Sequence, residues 1–192
     1  MNPLLIRRRG MMVAKASYRR VEYVLFNGGY FHLNYYPTEG TQIDANLKNV
    51  STDNQYLWNS GTATPRVSCF LSIVSSGGNI RFGNKAVVVH GSNLNSNSIT
   101  LQHNQTHFKY GSTTKAYTAQ SPFTAIGMLY FGDSQYPFQG GFRFIQVSEN
   151  GNLLFDLLPV ERNDGVVGYL DQVNGVFYQS ETSTPFTAGP YI

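Results

Sequence analysis

FRFIQVSENGNLLFDLLPV, residues Phe142–Val160, decides how the rest of the chain is read. Two apolar runs flank Glu149-Asn150-Gly151-Asn152. Asn-Gly at the centre of such a turn is the strongest short-range signal for an antiparallel hairpin, because both central positions need φ > 0, which Asn and Gly tolerate best. The same alternation of strand and turn signals extends outward. VEYVLFNGGYFHLNYY (21–36) is expected to form two strands around Asn27-Gly28-Gly29. TQIDANLKNV (41–50) sets Ile43, Ala45 and Leu47 against Gln42, Asp44 and Asn46, the pattern of a strand with one buried face. RVSCFLSIVSSGGNIRFGN (66–84) is expected to be a buried strand, a Ser-Gly-Gly-Asn turn and a returning strand, with Cys69 an inert core thiol. KAVVVHGS, SITLQHNQ, HFKYGSTTKAYTA and FTAIGMLYFGD continue the series, and no segment sustains a helical period.

The totals agree. The chain has 192 residues, 41% hydrophobic and only 13% charged, with 13 Tyr, 13 Phe and 19 Gly, which suits one all-β domain rich in tight turns. The expected fold class is therefore an antiparallel β-sandwich. A single cysteine excludes an internal disulfide, and no apolar run reaches the roughly 20 residues of a membrane-spanning helix. MNPLLI is too short for a secretory signal, so neither export nor a membrane partner is expected.

The net charge of +3 is unevenly placed. Arg7, Arg8, Arg9, Lys15, Arg19 and Arg20 lie in the first twenty residues without an acid, leaving eight basic and eleven acidic side chains in residues 21–192. Residues 1–20 read as an arm, residues 21–192 as the domain. Leu4, Leu5, Ile6, Met11 and Met12 would be a liability on a free tail and suit capture by another protein, with Arg7, Arg8, Arg9, Arg19 and Arg20 pairing its carboxylates. A nucleic-acid partner is disfavoured because no basic, aromatic face continues beyond the arm.

The closing region resembles a known group. Gly140-Gly141-Phe142-Arg143-Phe144-Ile145, then NLLFDLLPVERNDGVVGYLDQVNGVFYQSETSTPFTAGP, is similar to the end of the concanavalin A-like, laminin-G-like jelly-roll domains of gut bacterial and phage proteins. The matching residues are Asp156, Pro159, Val160, Gly168, Asp171, Val173, Asn174, Gly175, Phe177, Tyr178, Phe186, Thr187, Gly189 and Pro190. The chain departs from the pattern at Phe155, where Arg is frequent, and in having Gly-Tyr-Leu-Asp at 168–171 for Gly-Leu-Tyr-Asp. The arm resembles the beginnings of small virion proteins in tailed phages of Bacteroides-type hosts. These resemblances imply a laminin-G-like jelly roll behind an extended N-terminal arm, assembled into virions in the host cytoplasm in many copies, with residues 1–20 held by other virion proteins. Pro159 is expected to end the pairing of its strand. Val173, Phe177 and Tyr178 are expected to return across the sheet and shield an edge.

Catalytic chemistry is not expected. A glucan hydrolase on this fold would need paired carboxylates spaced as Glu-x-Asp-x-x-Glu, and no such run occurs. His103 and His107 fall on a strand–turn–strand segment, where four-residue spacing does not make two rings converge on a metal. Asp44, Asp53 and Asp133 are single carboxylates without companions for calcium. Neither a metal nor a cofactor is expected. For glycan adhesion the stretch NQYLWNSG is the best local candidate, since aromatic faces stack on sugar rings and amides bond hydroxyls. Tyr56, Trp58 and Asn59 are its named residues, followed by Tyr36 of the Tyr35-Tyr36 pair, although most aromatics in a chain with so many must be core. The expected role is a non-enzymatic decoration or fibre component of the virion, on head or tail, with adhesion to host or mucosal glycans. The alternative is a stand-alone carbohydrate-binding module on a bacterial surface.

Overall fold

A computed structural model describes residues 17–48, 55–60, 72–75, 79–82, 89–90, 99–104, 106–116, 127–134 and 136–192. Every regular element among them is a β-strand and every pairing is antiparallel. No helix there is long and apolar enough to cross a membrane.

The strands form two sheets. In the larger, the central order is β11 (Thr113–Ala116), β10 (His107–Tyr110), β9 (Ile99–His103), β4 (Thr41–Lys48), β13 (Gly141–Glu149), β14 (Asn152–Arg162), β15 (Val167–Asp171) and β16 (Phe177–Gln179). Joined to it are β1 (Tyr18–Arg20) on β14, β2 (Val24–Leu25) on β13, and β17 (Thr187–Ala188) on β2. The smaller runs β3 (Phe31–Leu33), β12 (Leu129–Phe131), β5 (Gln55–Asn59), β6 (Ser72–Ser75), β7 (Asn79–Phe82) and β8 (Val89–His90).

The hairpin that opened the reading is present. Asn150 and Gly151 have φ of 50° and 81°, and Glu149 pairs with Asn152 across the turn. Below it Leu154 has no residue opposite, because Phe155 pairs with Val147 and Leu153 with Ser148. This bulge frees the Leu154 carbonyl, which accepts a bond from Asn174 Nδ2 at 2.9 Å. The β6–β7 and β10–β11 pairs and the β9–β10 return also follow the expected strand order.

Three expectations change. The turn at Asn27-Gly28 (φ 49° and 88°) joins β2 of the large sheet to β3 of the small one, so it is a crossover between layers and not a hairpin. Its Asn-Gly chemistry fixes the reversal, but the partners of both strands lie far away in sequence. Pro159 does not end its strand, since β14 runs on to Arg162. It sits where the β13 partner, last paired at Leu157, gives way to β1, first paired at Val160, so no N–H is required there. Finally, Tyr18–Arg20, the end of the segment read as an arm, is a strand of the sheet, pairing with Val160–Arg162.

The facing sides of the two sheets share one core. Phe26 is its hub, with ring centroids 5.1 Å from Phe138, 5.3 Å from Phe142 and 4.6 Å from Phe186. Phe31 of β3 lies 5.5 Å from Tyr169 of β15, and Phe131 of β12 6.0 Å from Phe142 of β13, which ties sheet to sheet. Three of these pairs, Phe26 with Phe138, Phe26 with Phe142 and Phe131 with Phe142, meet edge to face, which adds to the burial that drives the packing.

Tyr169 brings a hydroxyl into this core. It is fully buried, and its O–H donates to the Phe142 carbonyl at 3.1 Å, beside the second β13 bulge. Burial pushes its pKa well above the ordinary value of 10.0. The unfolded chain therefore gives up this proton first as the pH rises, and stability falls above about pH 10. Tyr169→Phe is expected to flatten that alkaline loss in urea unfolding while costing about 1 kcal/mol at neutral pH. An unchanged alkaline slope would show that other groups control it.

Candidate functional site

On the outward side of the small sheet, alternation decides which side chains meet solvent. Phe31, Leu33, Leu129, Phe131 and Trp58 enter the core, so His32, Tyr130 and Asn59 project the other way. Register places them in one row: Tyr130 is opposite His32 on one side and Asn59 on the other. The Tyr130 ring lies 5.4 Å from His32 and 6.1 Å, edge-on, from Tyr30.

The closing segment completes this face. Glu181 accepts the His32 backbone N–H at 2.8 Å, and its carboxylate lies 2.7 Å from His32 Nδ1. Its own N–H donates to the Tyr30 carbonyl at 2.9 Å. β3 is an edge strand, so these bonds cap main-chain groups that would otherwise invite another strand. They also hold Nδ1 and leave the Nε2 position for a ligand. At the other end of the row Asn59 Nδ2 donates to Asp133 Oδ2 at 2.8 Å, and the Tyr136 N–H to Asp133 Oδ1 at 3.1 Å. Partial burial raises the Tyr130 pKa, helped by Glu181, Tyr30 and Tyr36, so its hydroxyl stays protonated and able to donate at neutral pH.

The four residues expected to bind glycans divide. Tyr36 is 56% exposed, next to this face. Trp58 is 0% exposed, with its ring 6.3 Å from Phe131 and 6.4 Å from Phe142, and is a core residue. Tyr56, 4% exposed, packs on Tyr136 with centroids 4.8 Å apart. Asn59, 6% exposed, positions Asp133 and offers little surface itself. NQYLWNSG resembles a loop because of its amides, but Gln55–Asn59 is a central strand between β12 and β6, and central strands bury their aromatics. Tyr30, His32 and Tyr130 were missed. Their signal was the period-two pattern of YFHL and LYF, where the residue between two core positions must face outward.

Among the arm residues, Leu4, Leu5, Ile6, Arg7, Arg8, Arg9, Met11 and Met12 lie outside the described residues. Arg19 and Arg20 are exposed on β1, with Arg19 Cζ 4.3 Å above the Tyr191 ring, whose hydroxyl donates to Glu161 at 2.7 Å. His107 is the first residue of β10, bonded to Thr106, Gln102 and Asn104. Asp44 is held by two glutamines, and Asp53 lies outside the described residues. Among the described residues no three His, Cys, Asp or Glu side chains stand together as a metal set.

The closing string serves the fold. Asp171 is fully buried and accepts from the Asp156 N–H at 3.1 Å, the Val173 N–H at 3.0 Å and Asn174 Nδ2 at 2.6 Å. Gly175, at φ 69°, closes the turn onto the Asp171 carbonyl. Phe177 and Tyr178 return along β15 as β16, while Val173 stays 48% exposed at the turn tip and covers nothing. Scanned against models of known families the chain matches none, and no curated protein matches it.

Proposed function

We propose that the chain is a non-enzymatic virion component, a laminin-G-like jelly roll held by its N-terminal arm to other virion proteins and adhering to host or mucosal glycans. The observation that carries the adhesive part is the outward row of Tyr30, His32 and Tyr130, with Glu181 fixing His32 and Tyr36 exposed alongside. Flat aromatic faces stack on sugar rings, and the phenol and imidazole groups reach hydroxyls. A shallow site of this kind binds weakly, and display in many copies compensates. The closing string supports the laminin-G-like reading through its residues, Asp171 to Gly175 acting as a fold-locking turn.

Two experiments test it. On an array of immobilised glycans, the full chain presented multivalently is expected to bind, and Tyr36→Ala with Tyr130→Ala to lose about tenfold or more in apparent affinity, with unfolding unchanged for Tyr36→Ala. Equal binding by both variants removes the tyrosine face from the proposal. Deletion of residues 1–16 is expected to leave the domain folded but unable to enter particles. The cut belongs there because removal through Arg20 would also take away β1. Incorporation of the shortened chain would refute the anchoring arm.

A further inference from the structure

The opposite face of the molecule carries a second row, independent of the tyrosines. Following register across the large sheet, Thr114 of β11 is opposite Lys109 of β10, Lys109 opposite Gln102 of β9, Gln102 opposite Asp44 of β4, Asp44 opposite Gln146 of β13, and Gln146 opposite Asp156 of β14. Six adjacent strands each place a polar side chain in one line, while the flanking Ile43, Ala45, Ile145, Val147 and Leu157 point into the core. At the usual strand separation the line is about 24 Å long and its groups recur every ~4.8 Å.

What distinguishes this row from an ordinary wet β-face is its chemistry. Four consecutive members, Gln102, Asp44, Gln146 and Asp156, are planar amides and carboxylates, partly buried and fixed by bonds between them. Asp44 accepts from Gln102 Nε2 at 2.8 Å and from Gln42 Nε2 at 2.7 Å, and Asp156 accepts from Gln146 Nε2 at 3.1 Å. Neither carboxylate is in an ion pair among the described residues. Groups that hold each other's orientation have already lost their rotamer freedom, and a ligand that bonds to them does not have to order them again. The Gln102 amide oxygen is shared with His107 Nε2 at 3.3 Å, while both carboxylates keep lone pairs and both amides a second N–H for further bonds. Next to the line, Gln42 and Ser148 lead into a depression of about 170 Å³ whose other walls include Glu39, Thr41, Asn104 and Thr106. A protein partner would want an apolar anchor at the centre of such a surface, and these groups supply none.

We propose that this row is a second binding site, for a straight, neutral, hydroxyl-rich chain such as a β-linked glycan lying across the strands. Adjacent hydroxyls of successive sugar units bond to the Gln102, Asp44, Gln146 and Asp156 side chains. Anionic glycans are disfavoured by the two carboxylates. With the tyrosine face on the other sheet, each copy then grips glycan on two opposite sides.

The test is titration calorimetry of the full chain with cellohexaose and with cellobiose. The hexasaccharide is expected to bind at least about tenfold more tightly than the disaccharide, because it reaches more of the row. Gln146→Ala and Gln102→Ala are each expected to weaken cellohexaose binding several-fold, with thermal unfolding lowered by no more than the few degrees that one lost hydrogen bond costs, and Val173→Ala, at an exposed turn outside both rows, to leave binding unchanged. No heat with millimolar cellohexaose, or equal affinity for both sugars, overturns the proposal. Loss in Tyr130→Ala with retention in Gln146→Ala also overturns it, and assigns the sugar to the tyrosine face.

Discussion

Gly168→Ala is expected to be the most damaging single-atom addition to the domain. A Cβ built at Gly168 would lie 2.1 Å from the Tyr178 carbonyl oxygen, 2.8 Å from Phe177 Cζ and 3.0 Å from the Tyr178 carbonyl carbon. Two of these atoms are backbone, so no rotamer change relieves the clash and β16 must leave β15. Tyr178 packs 5.7 Å from Phe31, which carries the displacement to the other sheet. A loss of roughly 3 kcal/mol or more follows, visible as a lower urea midpoint or as insoluble protein. As a comparison, Gly175→Ala meets nothing within 4 Å and bears only the strain of φ 69°, so about 1 kcal/mol is expected there. Should the two variants have equal midpoints, close contact is not what Gly168 serves.

Asp171→Ala is the second large effect. It strips the acceptor from the Asp156 and Val173 backbone N–H groups and from Asn174 Nδ2. The Asp156 N–H is held by strand β14 and cannot simply rotate to water, and the bonds from Val173 and Asn174 are lost as well, so the cost is about 3 kcal/mol, one orphaned donor plus two further hydrogen bonds. Asn174→Ala keeps the carboxylate and both backbone bonds, losing only the links to Asp171 and Leu154, and about 1 kcal/mol is expected. Hydrogen exchange of the Asp156 and Val173 amides reads the effect locally. Unaltered protection in Asp171→Ala would contradict the role assigned to this carboxylate.

The layout was legible where chemistry is local. Asn150-Gly151 announced its hairpin because φ > 0 at both positions is a property of those two residues alone. Alternation in Thr41–Lys48 likewise gave the buried face correctly. What the sequence hid depends on partners distant along the chain. Nothing near Asn27-Gly28 says that its two strands belong to different sheets, and nothing near Pro159 says that a change of partner there makes its missing N–H harmless. Trp58 misled for the same reason: its amide-rich neighbours suggest a loop, and only the β12 and β6 partners make Gln55–Asn59 a central strand. The candidate site was half visible. Tyr36 is exposed as expected, but the row of Tyr30, His32 and Tyr130 exists only once β3 and β12 are paired, and Glu181 reaches it from the other end of the chain.

That joining of distant ends has a kinetic side. Among the described residues, β1 and β2 find their partners in β13, β14, β17 and the Val21–Tyr191 bridge, all in the last third of the sequence. During synthesis the first strands, with Val24 and Phe26 uncovered, must wait until nearly the whole chain has emerged. A high contact order of this kind slows folding and lengthens the time during which sticky segments can meet other nascent chains. Yield of this protein should therefore respond to growth temperature and expression rate more steeply than its equilibrium stability alone would suggest.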